Sequence, residues 1–174
     1  MSENQLPPSD KHKFDKPMSR PHTYRERFHL EYASHLIPYL KILEAEIGRE
    51  KVIQTLRKMA VQEAEEYARY VVEAKGKNDL SVFKEDYSPT TPGICEILTI
   101  DILEDTEGVY AIKITECIWA ETFRKAGAAE YGVAAVCSGD IPYARCVNPQ
   151  IDLDLQGTIM EGKPYCMLRY YVKQ

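Results

Sequence analysis

The stretch LTIDILEDTEGVYAIKIT, residues 98–115, decides the fold. Leu98, Ile100 and Ile102 alternate with Thr99 and Asp101, and Tyr110, Ile112 and Ile114 alternate with Lys113 and Thr115. A period of two places each apolar set on one face, and the polar segment from Glu104 to Gly108 between them supplies a turn. The expectation is an antiparallel hairpin with one buried face, its β structure beginning near Ile94. Continued past Ile114, the same alternation points Glu116 to the core side and Cys117 to the other.

Downstream, a helix opens at the strand end, with Trp119 and Phe123 one turn apart and Gly127 as its stop. A shorter helix runs from Ala128 to Cys137 and is broken by Ser138-Gly139-Asp140, after which Asp140-Ile141-Pro142 has the form of an N-cap for one more turn. Asn148-Pro149 turns the chain into a second alternating pair: Ile151, Leu153 and Leu155, then Cys166, Leu168, Tyr170 and Val172, with Arg169 on the opposite face of the last strand. Tyr165 and Tyr171 beside Met167 suggest a second covered face there, such as a homo-oligomer interface.

Upstream, Thr23 and Glu26 form a capping box. The helix after it carries Phe28, Tyr32, Leu36, Leu40, Leu43 and Ile47 on one stripe, with Pro38 expected to bend it. Gly48 separates it from a second helix, about 49–75, whose inward stripe is Val52 or Ile53, Leu56, Ala60, Ala64, Tyr67 or Ala68, and Val71. The small residues at steps of four let another element approach closely. Residues 77–91 read as a connecting loop with a turn near Val82-Phe83. The sum is an α+β fold: two N-terminal helices packed with an antiparallel sheet of about four strands, and a helical crossover between two hairpins. Residues 1–22 are polar and proline-rich, an expected disordered or extended arm, and 23–174 form a single domain.

A net charge of −5 with both signs interspersed argues against nucleic acid as the partner and leaves small molecules or proteins. No window approaches the roughly 18 apolar residues of a membrane span, and the N-terminus lacks a secretory apolar core, so a cytoplasmic protein is expected. Five cysteines without a Cys-x-x-Cys pair point to reduced thiols. Four of them, Cys117, Cys137, Cys146 and Cys166, fall in the last third of the chain with most of the candidate chemistry. Cys117, at a strand-to-helix junction, is where a thiolate gains stabilisation, and is the first choice of nucleophile. Cys137 is a substitute or a pocket wall, and Cys166 is either a pocket wall or a core thiol. Glu116, Glu121 and Asp140 are the acid/base candidates. Glu121 could equally complement its helix dipole, and Asp140 could simply cap. Arg169 could fork onto a substrate carboxylate or pair across strands with Asp152 or Asp154. Should Cys117, Cys137, Cys166 and Asp140 converge, they could instead hold zinc; the spacing does not demand it, and no cofactor is expected.

The strand ending at Cys117 with Ala120-Glu121 after it, Gly127, Cys137 and Asp140, Asn148-Pro149, and TIMEG (158–162) followed by Cys166 and Arg169-Tyr170 resemble the L-2-amino-thiazoline-4-carboxylic acid hydrolase family. The resemblance covers roughly 112–171. It implies addition of water to the amidine carbon of a 2-aminothiazoline, with opening of the ring to an N-carbamoyl cysteine. It also implies a substrate site that includes Arg169, Trp119, Glu161, Cys166 and Asn148, with the indole of Trp119 shaping the pocket. The alternatives are a zinc-dependent hydrolase of another cyclic substrate, or a non-catalytic domain that binds or senses a small molecule.

Overall fold

The structure, a computed structural model, describes residues 20–173; residues 1–19 of the expected arm lie outside them. The capping box forms as expected, Glu26 N–H donating to Thr23 Oγ1 and Thr23 N–H to the Glu26 carboxylate. It starts α1 (Tyr24–Phe28), which runs through a π-helical stretch (His29–Leu36) into α2 (Ile37–Ile47). Pro38 is accommodated by this change of register rather than by a break: the Ile37 N–H reaches back five residues to the Tyr32 carbonyl. The wider turn makes room for a residue without a backbone donor. It also rotates the apolar stripe, so Ile37 is buried while Leu36 is only half-buried, and Leu43 and Ile47 remain exposed.

Gly48 (φ +86°) turns the chain into α3 (Arg49–Lys75). Its buried stripe is Val52, Ile53, Leu56, Ala60, Ala68 and Val71. Where a loop was expected, Ser81–Asp86 forms α4, with Val82 and Phe83 fully buried. Strands β1 (Leu98–Asp105) and β2 (Val109–Cys117) make the first hairpin, starting at Leu98 rather than Ile94. The crossover is α5 (Ile118–Lys125), α6 (Ala129–Ala135), a 3₁₀ turn (Cys137–Gly139) and α7 (Asp140–Val147). Strands β3 (Ile151–Gln156) and β4 (Cys166–Val172) complete an antiparallel sheet of order β1-β2-β4-β3.

Helices cover one face of that sheet. Ala68, Val71, Phe83, Tyr143 and Val147 meet Ile100, Ile112, Leu168 and Tyr170 in one apolar cluster. A second cluster joins Ile37, Leu56, Phe123, Ala134 and Met160 between the N-terminal helices and the crossover. Cys117, Trp119 and Ile159 pack against both. The close approach expected from the small residues of α3 occurs at Gly139, where an added Cβ would lie 3.2 Å from the Ala60 carbonyl oxygen and 3.6 Å from Ala64 Cβ.

Gly132 in α6 is the tightest glycine site: an added Cβ would sit 2.4 Å from Met160 Sδ and 3.0 Å from Phe123 Cγ. Alanine gains about 1 kcal/mol of helix propensity, but both neighbours are buried and overpacking costs about 1–3 kcal/mol. Gly132→Ala is expected to lower the urea midpoint, with a net loss of about 1 kcal/mol, and an unchanged or raised midpoint would refute the packing.

Candidate active site

The site lies at the seam between the two clusters. A β-bulge builds its first wall. Leu98 pairs with Cys117 and Thr99 with Glu116, but Ile100 pairs with Ile114, leaving Thr115 as the extra residue on β2. One inserted residue reverses the alternation. Glu116 therefore lies on the exposed side, hydrogen-bonded to Thr99 Oγ1, and Cys117 turns to the core, the opposite of what uninterrupted alternation requires. Glu116→Gln is accordingly expected to change stability by less than about 0.5 kcal/mol, measured by chemical denaturation; a larger loss would argue for a buried carboxylate.

Cys117 is the N-cap of α5, its Sγ accepting the Ala120 N–H at 3.5 Å. Cys137 arrives on the 3₁₀ turn and Cys166 at the start of β4, where its Sγ accepts the Ile159 N–H at 3.2 Å. With Asp140 they line one inner chamber of about 160 Å³. The four groups lie close enough to feel each other's charge. All five cysteines are unpaired. Among the described residues, no three His, Cys, Asp or Glu side chains come together in a way that could hold a metal ion.

Asp140 is the first residue of α7 and does not act as its cap: Gly139 occupies that position, without a side-chain bond. The carboxyl has no hydrogen-bond or ion-pair partner among the described residues, and burial pushes it up to about 7. It stands where the inner chamber meets an outer cleft of about 470 Å³, and Tyr87, Trp119 and Val136 belong to both. Burial also pushes the thiols up, Cys137 most of all. For Cys117 the rise is opposed by the N–H groups of Ala120 and Trp119, and for Cys166 by that of Ile159 alone.

Of the remaining candidates, all but Trp119 lie outside the chamber. Glu121 pairs with Arg25 and, at 2.6 Å, with Lys125, on a shallow outer groove that Cys117 borders from the other side. Arg169 is on the outer face of the sheet, 3.9 Å from Glu104 and over the Tyr171 ring; its partner is neither Asp152 nor Asp154. Tyr165 on that same side lies under the Lys113 ammonium. Glu161 is exposed and bonded to Thr158 in its turn. Asn148 ties the end of α7 to the Asn78 carbonyl and to Gln150 N–H. Trp119 does line the chamber, edge-on to Phe28 at 5.0 Å.

Two residues were not singled out by sequence. Tyr87 came from a segment read as loop, although it follows Phe83 by one helical turn and so continues its face. Arg124, seven residues after Cys117 and so on the same side of α5, donates to the Ile159 carbonyl at 3.2 Å and borders the outer groove. Beneath the chamber, the fully buried Tyr170 stacks on Phe83 with centroids 4.4 Å apart and on Tyr87 at 6.1 Å.

The L-2-amino-thiazoline-4-carboxylic acid hydrolase family model matches residues 27–170, most of the chain. No curated protein matches it. Among solved structures, the chain is similar to a trafficking protein particle complex subunit 3 from Naegleria fowleri covalently bound to palmitic acid, at 12% identity and a TM-score of 0.47, over 86% of this chain and 95% of that one. It is also similar to the phenol-responsive sensory domain of the transcription activator PoxR with phenol, at 18% identity and a TM-score of 0.46, over 90% of this chain and 77% of that one. No helix of the described residues is long and apolar enough to cross a membrane.

Proposed function

The chain belongs to the L-2-amino-thiazoline-4-carboxylic acid hydrolase family, and from that membership we propose that it opens the ring of a small cyclic amidine, of the 2-aminothiazoline kind, in the inner chamber. Cys117 is the nucleophile and Asp140 moves the protons. The observation that carries this reading is the partnerless carboxyl of Asp140 in one chamber with three thiols. A half-buried carboxylate in a largely apolar chamber without a counter-charge is poorly compensated, and an amidinium supplies the counter-charge together with hydrogen-bond donors.

Asp140 takes the Cys117 proton as Sγ attacks the amidine carbon. The ring carbon–sulfur bond then breaks, its electron pair leaves with the ring sulfur, and that thiolate takes the proton back from Asp140. The open substrate is now an isothiouronium on Cys117. Water adds to the same carbon, giving a proton to Asp140. Cys117 leaves with the electron pair and takes the proton back from Asp140, the new hydroxyl loses its proton to solvent, and the product is a urea bearing a free thiol. One water is consumed and no redox change occurs. Cys137 and Cys166 act as walls, and no metal enters the sequence of steps.

The free enzyme must present Asp140 ionised. With its carboxyl at about 7, kcat/KM should rise about tenfold per pH unit below that point and level off above it. A flat profile from pH 5 to 8 would remove Asp140 from proton transfer. The test of the reaction itself is steady-state thiol release from 2-amino-2-thiazoline by chelator-treated protein, with substrate in large excess over protein cysteines. Turnover is expected to survive chelation. Binding without turnover, in folded protein and also after zinc is restored, would leave a binding or sensing domain, a role that the raised thiols of the chamber would also fit.

A further inference from the structure

The two chambers differ in what they can hold, and among the described residues their walls carry no cation. The inner one, about 160 Å³, matches the roughly 150 Å³ that accommodates a single small ring. The outer one, about 470 Å³, adjoins it at Asp140 and is walled by Tyr32, Tyr67, Trp119 and Phe123 together with Leu56 and Met59. No Lys, Arg or His among the described residues lines either chamber, and Asp140 and the rim residue Glu63 are the only carboxyl residues that do. The sequence-based candidate for holding a substrate carboxylate, Arg169, lies on the other face of the sheet.

We propose that the substrate is a cyclic amidine whose substituent is apolar, preferably aromatic, and occupies the outer chamber, in place of the carboxylate of 2-aminothiazoline-4-carboxylate. The proposal rests on the ring-opening reading of the inner chamber. A carboxylate on the bound ring would enter a space with no cation and face Asp140, and would lose its hydration without compensation. An aromatic group meets ring faces and edges and leaves water for an apolar wall.

The test compares three probes that share the reacting ring: 2-amino-2-thiazoline, its 4-benzyl derivative and its 4-carboxylate. Thiol release gives kcat/KM, and quenching of Trp119, the sole tryptophan, gives affinity. The expected order is benzyl over parent by at least about tenfold, and parent over carboxylate by a similar factor. Glu63→Lys places a cation on the exposed rim and should raise the carboxylate-to-parent ratio at least about threefold. A carboxylate turned over as well as or better than the benzyl compound would overturn the inference and leave the hydrolase reading standing. If no probe is turned over by folded protein, the hydrolase reading falls and the fluorescence titrations decide the inference. Benzyl binding about tenfold tighter than carboxylate upholds the ligand class, and equal or reversed affinities reject it.

Discussion

Replacing Asp140 by Asn is expected to lower turnover at least about a hundredfold and, above pH 7, to make the protein more stable. The two effects share one cause. The carboxyl is held at about 7 in the fold against an ordinary value of 3.8. Between those values the native state binds more protons than the unfolded chain, so wild-type stability falls as pH rises from 3.8 toward 7 and stays at the lower level above. Asparagine keeps the shape and removes the charge. The variant should match wild type near pH 3.8 and exceed it above pH 7 by about 1–3 kcal/mol, the cost of a poorly compensated polar group that still opens onto a cavity. Urea unfolding at pH 4.5, 6 and 8 measures this directly. A variant less stable than wild type at pH 8 would mean that Asp140 has a partner in the fold. Wild-type turnover in that variant would mean that the carboxyl is idle in the reaction.

The second large effect is expected at Cys117. Cys117→Ala should lower ring opening by about a thousandfold or more, the scale of losing a nucleophile, while Cys137→Ala and Cys166→Ala should each retain at least about a tenth of wild-type activity. The distinction comes from what each Sγ meets. Cys117 caps α5 and accepts N–H donors that favour a thiolate, Cys166 accepts one from Ile159, and Cys137 is held highest by its burial beside Asp140. Loss of activity in Cys137→Ala with Cys117→Ala still active would reassign the nucleophile.

Helices and hairpins were readable in the residues because period and punctuation agree: Thr23 and Glu26 cap, Gly48 separates the two helices, and Ile112 and Ile114 face inward. The site was less readable because it depends on departures from period. Thr115 adds a single residue to β2, and that addition exchanges the faces of Glu116 and Cys117. The π-helical turn ahead of Pro38 similarly exchanges Leu36 for Ile37 as the buried residue. Convergence of Cys117, Cys137 and Cys166 follows from the sheet order β1-β2-β4-β3 and the crossover, which no local spacing encodes. The face of Arg169 was legible as well: Cys166, Leu168 and Tyr170 alternate inward, so the arginine between them points out, away from the chamber.

The most direct test is the intact mass of protein quenched in acid during the first turnover of 2-amino-2-thiazoline, followed by peptide mapping. Opening the ring on Cys117 expels no fragment, so the protein should gain the whole mass of the substrate, on the peptide that carries Cys117. The same gain on Cys137 or Cys166, or unmodified protein while thiol product forms, would contradict the assignment of Cys117 as the attacking group.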